Sequence, residues 1–108
     1  MKKSIPDSHN IFKDIPVSAT NEITEILASG NSMRIERIIS TGQTSPDGFF
    51  YDQDDDEFVI LLKGKAVISF SSGSKKTLNE GDFLNIPKNI RHRVDFTSNP
   101  TVWLAVFY

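Results

Sequence analysis

At 108 residues the chain is long enough for one domain that buries roughly two thirds of its unfolded surface. Twelve Lys and Arg against fourteen Asp and Glu leave a net charge of −2, so no long-range field draws it to nucleic acid. The absence of cysteine excludes a disulfide framework, a thiolate nucleophile and Cys-ligated zinc. No apolar run approaches the ~20 residues of a membrane-spanning helix. Met1-Lys2-Lys3 is followed by Ser4-Ile5-Pro6-Asp7-Ser8 rather than by the apolar core of a secretory leader. A soluble cytoplasmic protein with neither nucleic-acid nor membrane partners is expected.

Along the chain, residues 1–19 are irregular, interrupted by Pro6, Asp7, Asn10 and Pro16. Ile11, Phe12, Ile15 and Val17 are apolar, so this segment is expected to lie across the fold. Thr20 to Ala28 reads as a short helix, with Thr20 as its cap, Ile23, Ile26 and Leu27 on one face, and Gly30 as its stop. From Met33 the period changes to two. Met33, Ile35 and Arg37 then share a strand face that looks core-directed, opposite Arg34, Glu36 and Ile38. An arginine on such a face needs a partner, for which Glu57 or a bound anionic ligand would serve.

Thr41 to Gly48 is a turn cluster, and Phe49 to Asp52 a short strand. Glu57 to Lys63 is a nearly continuous apolar strand, expected to be buried on both faces. Lys65 to Ser71 is expected to pair with it across a tight Lys63-Gly64 turn, and Ser72-Gly73-Ser74 to make the next hairpin. Thr77-Leu78 and residues 82–86, 91–96 and 101–108 complete the series. In the last of these, Val102, Leu104 and Val106 alternate with Trp103, Ala105 and Phe107, so both faces want burial, which predicts a homodimer formed by sheet packing. Many short strands punctuated by Gly and Pro make an all-β sandwich or barrel.

Two spacings are more specific. Glu57 precedes Gly64 by seven residues; Gly81 precedes Pro87 by six, and Pro87 precedes His92 by five. This resembles the two cupin signatures, G-x5-H-x-H-x3,4-E-x6-G and G-x5-P-x-G-x2-H-x3-N. The chain is also similar to small, stand-alone, functionally uncharacterised prokaryotic cupins at Ile35-Glu36-Arg37-Ile38, Tyr51-Asp52-Gln53, Asp56-Glu57-Phe58-Val59, Arg91-His92-Arg93-Val94 and Val102-Trp103-Leu104-Ala105-Val106. The resemblance implies a double-stranded β-helix, or jelly-roll barrel, in a single domain: residues 1–32 as an N-terminal arm with the short helix, 33–108 as the barrel.

It also directs attention to a site. In metal-binding cupins two His and one Glu of the first motif and one His of the second point into the barrel. Glu57 and His92 match two of these. The stretch of the missing H-x-H pair reads Tyr51-Asp52-Gln53-Asp54, where Asp52 is a competent oxygen ligand and Gln53 a weaker one. The candidate metal ligands implied are Asp52, Glu57 and His92. Mostly oxygen donors suit Mn²⁺, Mg²⁺ or Ca²⁺ better than zinc or copper, and Mn, Fe, Ni or Zn are the metals to look for. A triad for iron oxygenase chemistry would have to recruit His9, the other imidazole. Candidate ligand-binding residues are Arg37, Tyr51, Gln53 and Trp103.

The run Asp52 to Glu57 lacks the glycine and distal Glu of an EF-hand and reads as a solvated loop entering a strand. On the strand from Arg91, His92 is expected to face the barrel with Val94 and Phe96, and Arg91 and Arg93 to face out. Asn89 stands at the motif's glycine and tolerates positive φ; Phe96 replaces the closing Asn and makes the pocket more apolar. Two readings follow. One is a barrel that binds a small molecule without a complete metal site. The alternative is a metal-dependent small-molecule lyase, isomerase or oxygenase using Glu57 and His92.

Overall fold

A computed structural model describes residues 4–108. Eight strands run in chain order: β1 Ile23–Gly30, β2 Met33–Ser40, β3 Glu57–Lys63, β4 Ala66–Phe70, β5 Lys75–Leu78, β6 Phe83–Ile86, β7 His92–Thr97 and β8 Thr101–Phe107. They form a five-stranded sheet in the order β1-β2-β8-β3-β6 and a three-stranded sheet in the order β5-β4-β7, all pairs antiparallel. The chain is all-β with the jelly-roll arrangement expected.

Inward side chains from both sheets meet in one apolar cluster of Val59, Leu61, Ala66, Ile68, Leu78, Ile86, Trp103, Ala105 and Phe107. Strand alternation explains its membership: on β3 Glu57, Val59 and Leu61 are buried while Phe58, Ile60 and Leu62 are half-buried. The expectation of two fully dry faces on β3 is therefore corrected to one dry face and one partly covered.

The short helix expected over Thr20 to Ala28 is a strand instead. Ile23 to Gly30 pairs with β2 through a turn at Asn31-Ser32, with a bulge between Ile26 and Ala28. Ile26 and Leu27 are exposed and only Ile23 is half-buried, so the apolar face that favoured a helix covers little. Backbone pairing with β2, helped by the β-branched Ile23, Thr24 and Ile26, decides the segment.

A further expectation is corrected at a strand join. β3 and β4 do not pair across Lys63-Gly64; β3 belongs to the larger sheet and β4 to the smaller, so this join is a corner between sheets. Lys65 N donates to Ser98 Oγ at 2.9 Å and Ser98 N to Lys65 O at 2.9 Å, while Gly64 N donates to Glu80 Oε2 at 3.0 Å. Gly64 has φ 94°, and a Cβ there would collide with Ser98 Oγ and with the Pro100 carbonyl.

β8, in turn, is not an edge strand. It sits between β2 and β3, so its inward Trp103, Ala105 and Phe107 are core, and Leu104 and Val106 lie half-buried on the sheet's outer face.

Candidate functional site

β2 positions the first half of the site. Its alternation turns Arg34, Glu36 and Ile38 toward the interior, where they line a cavity of about 210 Å³. β3 adds Glu57 and Val59, β7 His92 and Val94, and β8 Trp103 and Phe107; Ile68 and Ile86 complete the apolar wall. Glu22 and Thr24 reach the same space from the chain entering β1 and from β1 itself, and Tyr51 and Gln53 from the segment before β3.

His92 is the best-defined member. It is 5% exposed, and its backbone exchanges two hydrogen bonds with Tyr51, whose N–H donates to His92 O at 2.6 Å and whose carbonyl accepts from His92 N at 3.1 Å. The Tyr51 ring stacks on the imidazole at a centroid distance of 5.5 Å. Nδ1 lies 2.9 Å from the Ile90 carbonyl, which can only accept, so Nδ1 carries a proton and Nε2 is left facing Glu57 Oε1 at 3.6 Å. Burial opposes charging of the ring. The Glu57 carboxylate and the Ile90 carbonyl favour the charged form by more, so its pKa stands above the ordinary histidine value.

The acidic members differ in support. Glu36 is buried and accepts from Arg34 Nε at 2.6 Å; the Arg34 guanidinium also lies 4.2 Å above the Phe107 ring and 3.6 Å from Asp55. Glu22 is exposed as a residue, but its carboxyl turns onto the cavity mouth. Loss of water there raises its pKa; the Ser40 hydroxyl, 3.5 Å away, lowers it, and Glu57 and Glu36 add to the rise. Ser40, itself buried, also accepts from Trp103 Nε1 at 3.4 Å. The Tyr51 phenol is pushed up by burial and by Glu22 and Glu57.

Of the residues singled out from sequence, Glu57, His92, Tyr51, Gln53 and Trp103 come together on the cavity. Asp52 does not. Its side chain is exposed and accepts at 3.0 Å from Asn89 Nδ2, bracing the turn in which Asn89 adopts φ 63° and donates its N–H to Gln53 O. The short strand expected over Phe49 to Asp52 does not form: Tyr51 alone bridges to His92, and the Asp52 carboxylate is directed to Asn89 while Tyr51 and Gln53 line the cavity.

Arg37 also lies elsewhere, on the outer face of β2. It is 7% exposed and bonds Glu25 through Nε and Nη2, while Nη1 donates to the carbonyls of Ile11 at 3.0 Å and Lys13 at 2.6 Å. The apolar residues beside it belong to the covered outer face rather than to the barrel interior, and neither Glu57 nor the cavity is its partner. His9 lies in the same outer groove as Arg37, away from His92.

Phe96 is exposed rather than inward. Val67 pairs with Phe96 but Ile68 with Val94, so Asp95 is an extra residue, and the bulge turns Thr97 inward in place of Phe96. Arg93, on the outer side as expected, is occupied by Asp95 and by the carbonyls of Ser45 and Pro46.

Reading by sequence missed Glu22, Arg34 and Glu36. The period-two pattern of β2 had already grouped Arg34 with Glu36; taking the polar face as the inner one would have found them. Glu22 had no such signal, because it was assigned to a helix.

The residues do not fit a resident metal. Glu57 and His92 are adjacent, but Asp52 faces out, and among the described residues no group of three or more His, Cys, Asp or Glu is placed to hold an ion.

With this geometry the fold is that of a cupin. The sequence pattern of the cupin domain matches residues 35–107, and the chain belongs to that family. An uncharacterized protein of Aquifex aeolicus (strain VF5) is 31% identical over 105 residues, covering 97% of this chain and 84% of that protein. A solved structure from Ralstonia eutropha JMP134, named "putative mannose-6-phosphate isomerase", is 44% identical and superposes with a TM-score of 0.91, covering 94% of this chain and 97% of that one. A cupin superfamily protein of Desulfitobacterium hafniense DCB-2 shares the fold at a TM-score of 0.77 with 19% identity, covering 97% and 94%. No helix among the described residues is long and apolar enough to cross a membrane.

Proposed function

We propose that this cupin binds a small organic molecule in its barrel cavity, in the cytoplasm, without a resident metal ion. The observation that carries this reading is a cavity of about 210 Å³ in which buried polar groups, Glu36, Glu57 and His92, share a wall with Val59, Ile68, Trp103 and Phe107. Apolar walls with a few placed polar groups are the usual make-up of a ligand site. The volume lies below the ~300–1,000 Å³ of sites for drug-sized molecules, so the ligand is small.

The test is a ligand-observed NMR screen of small neutral, cationic and anionic compounds against the wild-type protein, Glu57→Ala and Trp103→Phe. Compounds that bind are expected to weaken at least fivefold in one variant or the other. If both substitutions leave every interaction unchanged, the ligand site is not the barrel.

Elemental mass spectrometry of protein purified without chelator or His-tag is expected to find Mn, Fe, Ni and Zn well below one per chain. A stoichiometric metal lost in His92→Ala would replace this reading with the metal-dependent enzyme. The name of the Ralstonia relative offers a sugar phosphate as ligand and an isomerisation as activity. Nε2 of His92, unprotonated when the ring is neutral, is the group here able to accept a proton from a bound molecule.

We further propose that the chain forms a homodimer through the outer face of its five-stranded sheet, where Phe58, Ile60, Phe83, Leu104 and Val106 are exposed or half-buried.

A further inference from the structure

We propose that the molecule held in the cavity is a small organic cation, an amine with a short hydrocarbon chain, and that phosphates and carboxylates are excluded. This rests on the reading of the barrel as a binding site and adds the ligand's charge.

Three carboxylates, Glu22, Glu36 and Glu57, line the cavity against one permanent cation, Arg34, and the titrating His92, so the carboxylates outnumber the cations whichever form His92 takes. Arg34 is already engaged: it donates to Glu36 at 2.6 Å, lies over the Phe107 ring and approaches Asp55 at 3.6 Å. An arriving anion would have to take Arg34 from Glu36 and leave that buried carboxylate without a partner, a costly exchange.

Among the described residues the other two carboxylates have no arginine or lysine partner. Glu57 is buried, and the one ion-pair partner of its carboxylate among the described residues is His92 Nε2, at 3.6 Å. Its oxygens keep their contact with the cavity, for no fully buried side-chain oxygen among the described residues lacks a hydrogen-bond partner. Glu22 has the Ser40 hydroxyl at 3.5 Å, the outer limit of a hydrogen bond. A molecule that displaces water from these carboxylates must itself supply donors or a positive charge. An ammonium group supplies three donors and the charge together.

The rest of the lining, Val59, Ile68, Ile86, Trp103 and Phe107, suits a hydrocarbon chain, and the aromatic rings tolerate a cation at their faces. A cavity of about 210 Å³ limits that chain to a few carbons.

Trp103 is the only tryptophan of the chain and lines the cavity, so its fluorescence reports occupancy directly. The full-length protein is titrated at pH 7 with n-butylamine, 1-butanol and sodium butyrate, which share a chain length and differ in charge, and with mannose 6-phosphate. Saturable change in Trp103 emission is expected with butylamine, at an affinity at least tenfold tighter than for butanol, and none with butyrate or the sugar phosphate. Glu22→Gln and Glu57→Gln, each first shown to unfold cooperatively on heating, are expected to weaken butylamine threefold or more while leaving butanol unchanged.

Butanol, butyrate or mannose 6-phosphate binding as tightly as butylamine would overturn the charge assignment and leave the barrel as the binding site. Butylamine binding unaltered in both variants would overturn it as well. No saturable change with any of the four would also end it, and the screen against Glu57→Ala and Trp103→Phe would then decide separately whether the barrel binds anything.

Discussion

At the scale of single residues, protonation of His92 and Glu22 links the site to stability. With Nδ1 donating to Ile90, a neutral ring sets the Nε2 lone pair against the Glu57 carboxylate, and a proton there turns repulsion into an ion pair. The folded-state pKa of His92 is raised, so its stabilisation is present in full below the unfolded value of ~6.5 and is lost as pH rises through the folded value. Glu22 is also raised: its carboxylate is disfavoured in the folded state, so its cost is absent below pH ~4.5 and complete above its folded pKa. Both groups make stability fall as pH rises. Urea unfolding between pH 6 and 8.5 is expected to show that decline in the wild type and a flatter profile in His92→Gln; equal slopes would mean that the His92 proton is not linked to folding. Gly64 carries a different constraint, because its φ of 94° and its contact with Pro100 leave no space for a side chain. Gly64→Ala is expected to destabilise the protein by more than ~1 kcal/mol, read as a lower urea midpoint.

At the scale of elements, β2 separates two tasks by alternation alone. Arg34, Glu36 and Ile38 face the cavity; Arg37, on the outer face, holds the N-terminal arm through the Ile11 and Lys13 carbonyls. The arm is otherwise largely exposed, with Phe12 and Val17 facing solvent; its later part is tied by Thr41 and Gln43 to Ala19 and by Asn99 to Val17, so the Arg37 bonds anchor its first half. Arg37→Met is expected to cost ~1.5–3 kcal/mol, the range for hydrogen bonds to a charged group, and to speed limited proteolysis within residues 4–20 by tenfold or more. Unchanged cleavage there would show that apolar contacts hold the arm. The β7 bulge at Asp95 acts similarly on its own strand: it lets His92 and Val94 face the cavity while Thr97 turns in to donate to Gln43 O at 2.6 Å.

At the scale of the whole molecule, the five-stranded sheet has one face on the core and one that its own chain covers incompletely. Phe83 is 58% exposed, and its ring lies 5.3 Å from that of Phe58 beside the half-buried Ile60, Leu104 and Val106. An exposed aromatic ring among half-buried apolar neighbours is the surface on which the proposed dimer would form. Sedimentation velocity at micromolar concentration is expected to give a dimer and, for Phe83→Asp, a monomer with an unchanged thermal midpoint. A wild-type monomer would assign the face to some other role.

The sequence by itself determined the strands with strong period-two patterns, the Glu57–Gly64 and Gly81–His92 spacings, and through them the jelly roll and the pairing of Glu57 with His92 on its cavity. These are local properties, set by alternation and by turn residues such as Gly64 and Asn89. It did not determine which face of β2 turns inward, because Ile35 beside Arg37 and Ile38 beside Glu36 look alike until the arm and the second sheet cover one side. Nor did it determine that Ile23 to Gly30 is a strand, since β2's backbone supplies hydrogen bonds that outweigh a helical spacing with nothing to pack against. The outward turn of Asp52, the bulge at Asp95 and the gathering of Glu22, Glu36 and Glu57 at one cavity were decided by tertiary structure alone. Each depends on strand register between segments far apart in the chain, where a shift of one residue exchanges the inner and outer faces.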